Sequence, residues 1–214
     1  MVIGSIAIFI SFLASMLVYK KLEPKWLRLF SYYLIFTMFA QIGGYLYSHI
    51  TRRSNHFIFN IILLIACLFW VFVFSKSYKT PVLKKLVFIL SALFFVFAFY
   101  NISFGEGFFV YNSMTDNFGS ILFIIFTFIY LGELFVNKSR VNYFRIPMFW
   151  ISTGLLFFNI GEMIYFSLFD YITLHQLDSD GKIYNMIMVT LNILMYGLFT
   201  IGFLGNRYLW KKEN

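Results

Sequence analysis

Charge is scarce in this chain. Of its 214 residues, 12% are Asp, Glu, Lys or Arg, about half the share in soluble domains. Acids are the scarcer sign, nine against 17 bases. Cysteine occurs once, at Cys67 inside an apolar run. That excludes an intramolecular disulfide and any Cys-based metal cluster, and Cys67 reads as a buried, inert thiol. Proline occurs three times; Pro24, Pro81 and Pro147 fall between long apolar stretches or at their starts. There is no P-loop, no nucleophile elbow and no His-Glu-x-x-His pair. The last apolar stretch lacks a lysine, which excludes a retinal Schiff base there. Zinc needs three or four convergent ligands. Only His49, His56 and His175, with Asp178 and Asp180 as acidic neighbours, offer any. No enzymatic activity and no cofactor are expected.

What is present in excess is apolar surface. Hydrophobic residues make up 61% of the chain, including 31 phenylalanines. A soluble fold of this size could not bury that much, so the expected solvent is a lipid bilayer. The net charge of +8 then reads as loop charge that orients membrane helices, and no nucleic-acid partner is expected. Seven apolar stretches approach the ~20 residues that a helix needs to cross the hydrocarbon. They are 2–19, 28–49, 57–75, 86–104, 119–136, 147–171 and 184–205. Their continuity favours helices over barrel strands of about ten residues. The expected fold is therefore all-α: a polytopic membrane protein, one seven-helix domain over 1–214.

Loop charge sets its direction. The loops after spans one, three and five and the C-terminal tail hold 14 of the 17 bases. They are Lys20, Lys21, Lys25, Arg28, Lys76, Lys79, Lys84, Lys85, Lys138, Arg140, Arg145, Arg207, Lys211 and Lys212. The opposite loops hold Arg52, Arg53 and Lys182. The expectation is an outside N-terminus and a cytoplasmic C-terminus in a bacterial inner membrane.

The second and sixth spans share a pattern. Phe39 to Tyr47 reads FAQIGGYLY, and Phe157 to Tyr165 reads FFNIGEMIY. The third and seventh spans open with FNII at Phe59 and YNMI at Tyr184, and GSI recurs at Gly4 and Gly119. Matches in the same order argue for a duplication. The halves are 1–75 and 119–205, with 86–104 as a linker. Gly43 and Gly161 align as close-packing points, Gln41 aligns with Asn159, and Gly44 stands where the other half has Glu162. A parallel 3+1+3 plan resembles the SWEET and PQ-loop carriers, without their Pro-Gln pair or intramembrane prolines. The stretch PMFWISTGLL from Pro147 resembles small uncharacterised seven-helix bacterial membrane proteins, which bring no function with them. The carrier resemblance implies transport of a small solute.

Polar residues inside a bilayer face the bundle interior as a rule. Gln41 and Tyr45 share a face of the second span. Asn159 and Glu162 lie on the sixth with Ser152, and Gly154 and Gly161 lie opposite, where small residues admit a neighbouring backbone. Asn185, Asn192 and Tyr196 line the seventh, and Asn60 and Asn101 add one amide each from the third and fourth. In the expected orientation, these nine residues from Gln41 to Tyr196 form a polar pocket in the outer half of the membrane. Interhelical hydrogen bonding is the competing structural role for each amide. Glu162, with no base at its depth, suits proton exchange or a neutral carboxyl donor. The expected function is a carrier of a small polar solute or ion, a proton included. The alternative is a receptor or sensor subunit signalling through a cytoplasmic partner. Both allow a homo-oligomer.

Overall fold

A computed structural model describes residues 2–137, 142–176, 178 and 181–205 of the chain. Lys138, Arg140, Arg207, Lys211, Lys212 and Asp180 lie outside them. The regular structure is α1 (Val2–Leu17), α2 (Leu29–Thr51), α3 (His56–Ser77), α4 (Pro81–Phe104), α5 (Ser113–Asn137), α6 (Pro147–Ser167), α7 (Phe169–Leu174) and α8 (Lys182–Leu204), with three short 3-10 turns. No strand occurs among the described residues. Six of the helices are long and apolar enough to cross a membrane. Helix α1, at 16 residues, spans about 24 Å, short of the ~30 Å hydrocarbon. This is a multi-pass helical membrane architecture. Exposed side chains such as Phe99, Phe104 and Val136 would be poorly placed in water.

Apolarity located the helices better than their ends. Helix α4 begins at Pro81, five residues before the apolar stretch, because proline suits the first helical turn, whose N–H groups have no intrahelical partner. Helix α5 begins at Ser113 rather than 119. In both cases the helix continues past the apolar portion into polar residues. Helix α6 also starts on its proline, Pro147. The sixth stretch is interrupted at Leu168, and α7 follows as a separate short helix.

The chain falls into two compact units, 36–126 and 1–35 with 127–214. The first holds most of α2, all of α3 and α4, and the start of α5. Its core packs Trp70 on Phe123 at 6.4 Å and Phe74 on Phe126 at 5.7 Å between ring centroids. Cys67 is buried there as a free thiol, as its apolar neighbourhood suggested. Tyr78 ends α3 buried, and its hydroxyl donates to the Phe126 carbonyl at 2.5 Å.

The second unit is built on α8, against which α1 and α6 both pack. The α6–α8 contact is close because glycine removes the side chain at three levels. A Cβ on Gly154 would lie 2.9 Å from the Met195 carbonyl oxygen, and one on Gly202 would lie 2.9 Å from that of Pro147. A Cβ on Gly161 would meet Leu191 Cδ2 at 2.5 Å. Gly154 and Gly161 thus serve the packing role expected of them. Phe30, Phe199 and Phe203 are fully buried, with Phe30 edge-on to both others at 6.3 and 5.9 Å.

Gly43 does not repeat the part of Gly161, since nothing lies within 4 Å of a Cβ built there. The packed glycine of α2 is its neighbour Gly44, with Phe59 Cζ at 3.4 Å. Alignment preserved the residue type, but the helix face differs by one position. The unit boundaries also differ from the halves 1–75 and 119–205, since residues 1–35 cluster with 127–214.

Candidate functional site

The nine residues divide between the two units. In the 36–126 unit, Asn60 is buried and fully engaged. Its Nδ2 donates to the carbonyls of Phe108 and Val110, each at 2.8 Å, and its Oδ1 accepts from the Asn112 N–H at 3.1 Å. Asn101, also buried, has two N–H groups for three acceptors: Glu106 Oε2 at 2.6 Å, and Asn112 Oδ1 and Thr115 Oγ1 at 3.0 Å. Its own oxygen accepts from the Glu106 N–H at 3.3 Å. Ser113 Oγ donates to Glu106 Oε1 at 2.5 Å, and Asn112 Nδ2 donates to the Gly107 carbonyl at 2.7 Å. These bonds tie the 105–112 loop to α3, α4 and α5. Asn60 and Asn101 therefore brace a loop, and their polar atoms are occupied by protein.

Glu106, Asn112 and Thr115 complete that brace, and none was singled out from the sequence. A signal was present. Ser113 followed by Asp116 ahead of an apolar run marks a helix start, and the helix does begin at Ser113, although the Ser113 hydroxyl donates to Glu106 instead of capping. Asp116 accepts from the Tyr111 hydroxyl at 2.5 Å. Gln41 is half-buried. Tyr45 is 49% exposed and stacks on His49 at 5.8 Å.

In the other unit the amides behave differently. Asn159 is 3% exposed, and its Nδ2 donates to the Leu155 carbonyl one turn back on its own helix at 2.7 Å. Asn192 does the same on α8, donating to the Met188 carbonyl at 2.7 Å. Neither donates across to another helix among the described residues. The contacts Gly154–Met195 and Gly161–Leu191 bracket both amides, which places them at one level of the antiparallel pair. Asn192 also faces α1, its Cβ 3.9 Å from a Cβ built on Gly4. Tyr196 is buried one turn further along α8. Ser152 of α6 is fully buried, and its hydroxyl has no partner among the described residues. Glu162 is half-buried, and Asn185 is exposed near the start of α8.

Asp178 closes the α8 end of this unit. Its two carboxylate oxygens accept from the Ile183 and Tyr184 N–H groups, both at 2.8 Å, at the positive end of the helix. Desolvation works against its charge. The Tyr184, Ile183 and Lys182 N–H groups and the Tyr165 hydroxyl prevail and hold the carboxyl below its ordinary range. Asp178 is thus a helix anchor. No group of three or more His, Cys, Asp or Glu is placed to hold a metal among the described residues.

What remains is a bundle interior at the level of Asn159 and Asn192, whose amides leave their carbonyl oxygens outside any interhelical bond among the described residues. Comparison of the chain with family models, curated proteins and solved structures gives no match.

Proposed function

We propose that this protein is a membrane carrier for a small polar solute, and that Asn159, Asn192, Tyr196 and Glu162 bind the solute. The reading rests on one observation. Asn159 and Asn192 lie at the same level of α6 and α8, yet each donates to its own helix rather than to a neighbour. Amides that glue helices together bond across them. These two turn their donors onto backbone and leave carboxamide oxygens as acceptors. The buried Ser152 hydroxyl adds to that polar inventory. A buried polar group without a partner costs roughly 1–3 kcal/mol, which a bound solute would offset.

The chemistry points to a donor-rich solute such as a polyol, sugar or amino compound. Carboxamide oxygens accept hydrogen bonds, and a phenol both donates and accepts. Glu162, three residues beyond Asn159, adds a group that exchanges a proton and would couple transport to a proton gradient. Reconstitution into liposomes tests this. Labelled polyols, sugars and amino acids should include at least one that the parent moves. Asn159→Leu and Asn192→Ala should abolish that uptake, and Glu162→Gln should remove its response to a pH gradient. A parent that moves none of them, or an Asn159→Leu variant that transports at the parental rate, would overturn the proposal.

A further inference from the structure

The connection between α1 and α2 gathers donors for an anion. Lys20, Lys21, Lys25 and Arg28 fall within nine residues, opposed by Glu23 alone. Two 3-10 turns, Tyr19–Lys21 and Lys25–Arg28, shape it. Val18, Leu22 and Leu27 are buried and hold this backbone down, while the three lysines are exposed. Arg28 fixes the turn: Nη2 donates to the Lys20 carbonyl at 3.0 Å, and the guanidinium lies 5.7 Å from the Tyr19 ring centroid. Its contact with Glu23 is long, 4.0 Å, and Glu23 is largely exposed, so the pair neutralises little.

The Tyr19 and Tyr32 hydroxyls lie 3.0 Å apart. One donates to the other, which leaves one O–H free to donate outward. The Tyr32 hydrogen bond holds the Tyr19 phenol above its ordinary value, so its hydroxyl stays protonated at neutral pH. Tyr32 is exposed, as are Leu17 and Leu29 at the facing helix ends. Cationic groups, a free hydroxyl donor and apolar side chains therefore share the connection 17–32 between the end of α1 and the start of α2.

We propose that the Tyr19–Tyr32 segment binds the phosphate of an anionic lipid headgroup. Lys20, Lys21 and Lys25 supply charge, and the tyrosine pair donates a hydrogen bond to a phosphate oxygen. Arg28 keeps the turn in shape. The charge alone would also attract free phosphate; Leu17 and Leu29 favour a phosphate that carries acyl chains. Basic clusters at helix ends attract anionic lipid by this physics, and here the hydroxyl pair adds a directed contact.

The test uses the full chain in neutral detergent, with thermal stabilisation read against added lipid. Phosphatidylglycerol should stabilise the protein and phosphatidylcholine should not. The K20Q/K21Q/K25Q variant should bind phosphatidylglycerol at least about tenfold more weakly. The Y19F/Y32F variant should lose about threefold to tenfold. Should the triple variant fail to fold, Lys25→Glu alone should still weaken binding. Equal stabilisation by phosphatidylcholine, or unchanged affinity in the lysine variants, would overturn the proposal. Full displacement of the lipid by glycerol 3-phosphate would overturn it too, since that result assigns the site to free phosphate. None of these outcomes depends on whether the protein carries a solute.

Discussion

The two units handle the same side chain in opposite ways. In 36–126, Asn60 and Asn101 reach out of their helices and bond the 105–112 loop through carbonyls, amides and the Glu106 carboxylate. In the other unit, Asn159 and Asn192 fold back on carbonyls four residues away. The first pair does structural work at long range. The second donates within its own helices and, among the described residues, bonds to no other helix. An amide in an apolar helix is therefore not evidence of a pocket by itself; the destination of its N–H groups separates brace from candidate site.

The largest expected effect tests the brace. Asn101→Leu strands Asn112 Oδ1 and Thr115 Oγ1 and removes one of the donors to Glu106, and should cost about 2–4 kcal/mol in detergent unfolding, at ~1–3 kcal/mol per unsatisfied buried group. A loss under about 0.5 kcal/mol, the scatter of ordinary surface changes, would erase the contrast between the units. Asn159→Leu should behave in the reverse sense. It breaks no bond between helices, so stability should move by less than about 1 kcal/mol. Solute uptake should fall at least tenfold, about 1.4 kcal/mol of transition-state or binding energy.

Smaller effects come from the glycines. Alanine gains about 1 kcal/mol over glycine in a helix. At Gly154 the new Cβ would press on the Met195 backbone carbonyl, and overpacking costs about 1–3 kcal/mol. Gly154→Ala should therefore be net destabilising by roughly 1 kcal/mol. Gly43→Ala meets nothing and should be neutral or stabilising by up to about 1 kcal/mol. Equal unfolding temperatures for the two would remove the distinction between packed and open glycine.

The smallest effect is a pH dependence. The Asp178 carboxyl is held below its ordinary value in the folded protein. Its stabilisation is present above about pH 4, the unfolded value, and is lost as pH falls through the lower folded value. Between about pH 5 and 3, the parent should lose more thermal stability than Asp178→Asn. Parallel curves would show that the carboxylate contributes nothing at that helix start.

Most helices were legible because an apolar run long enough to span hydrocarbon has few other outcomes. Their ends were less so. Pro81 and Ser113 lie outside the apolar runs, where only capping chemistry marks a start. The roles of the amides could not be read at all. Asn60 and Asn159 sit in similar apolar surroundings. One donates to carbonyls 48 and 50 residues away, and the other to a carbonyl four away. Sequence spacing encodes the second reach and not the first. The glycine pair Gly43 and Gly161 teaches the same lesson. Alignment carries identity from one helix to another, but not the neighbour that gives the residue its purpose.

The glycine seats on α6 and α8 carry a mechanical consequence. They occur at three heights, with Gly202 against Pro147, Gly154 against Met195 and Gly161 against Leu191. Sliding one helix by a single residue, about 1.5 Å, would drive side chains into seats shaped for none. The pair is keyed against shear at several heights and should travel as one strut. Any motion within this unit must then hinge outside that pair, for which the α1 contact and the interruption at Leu168 offer places.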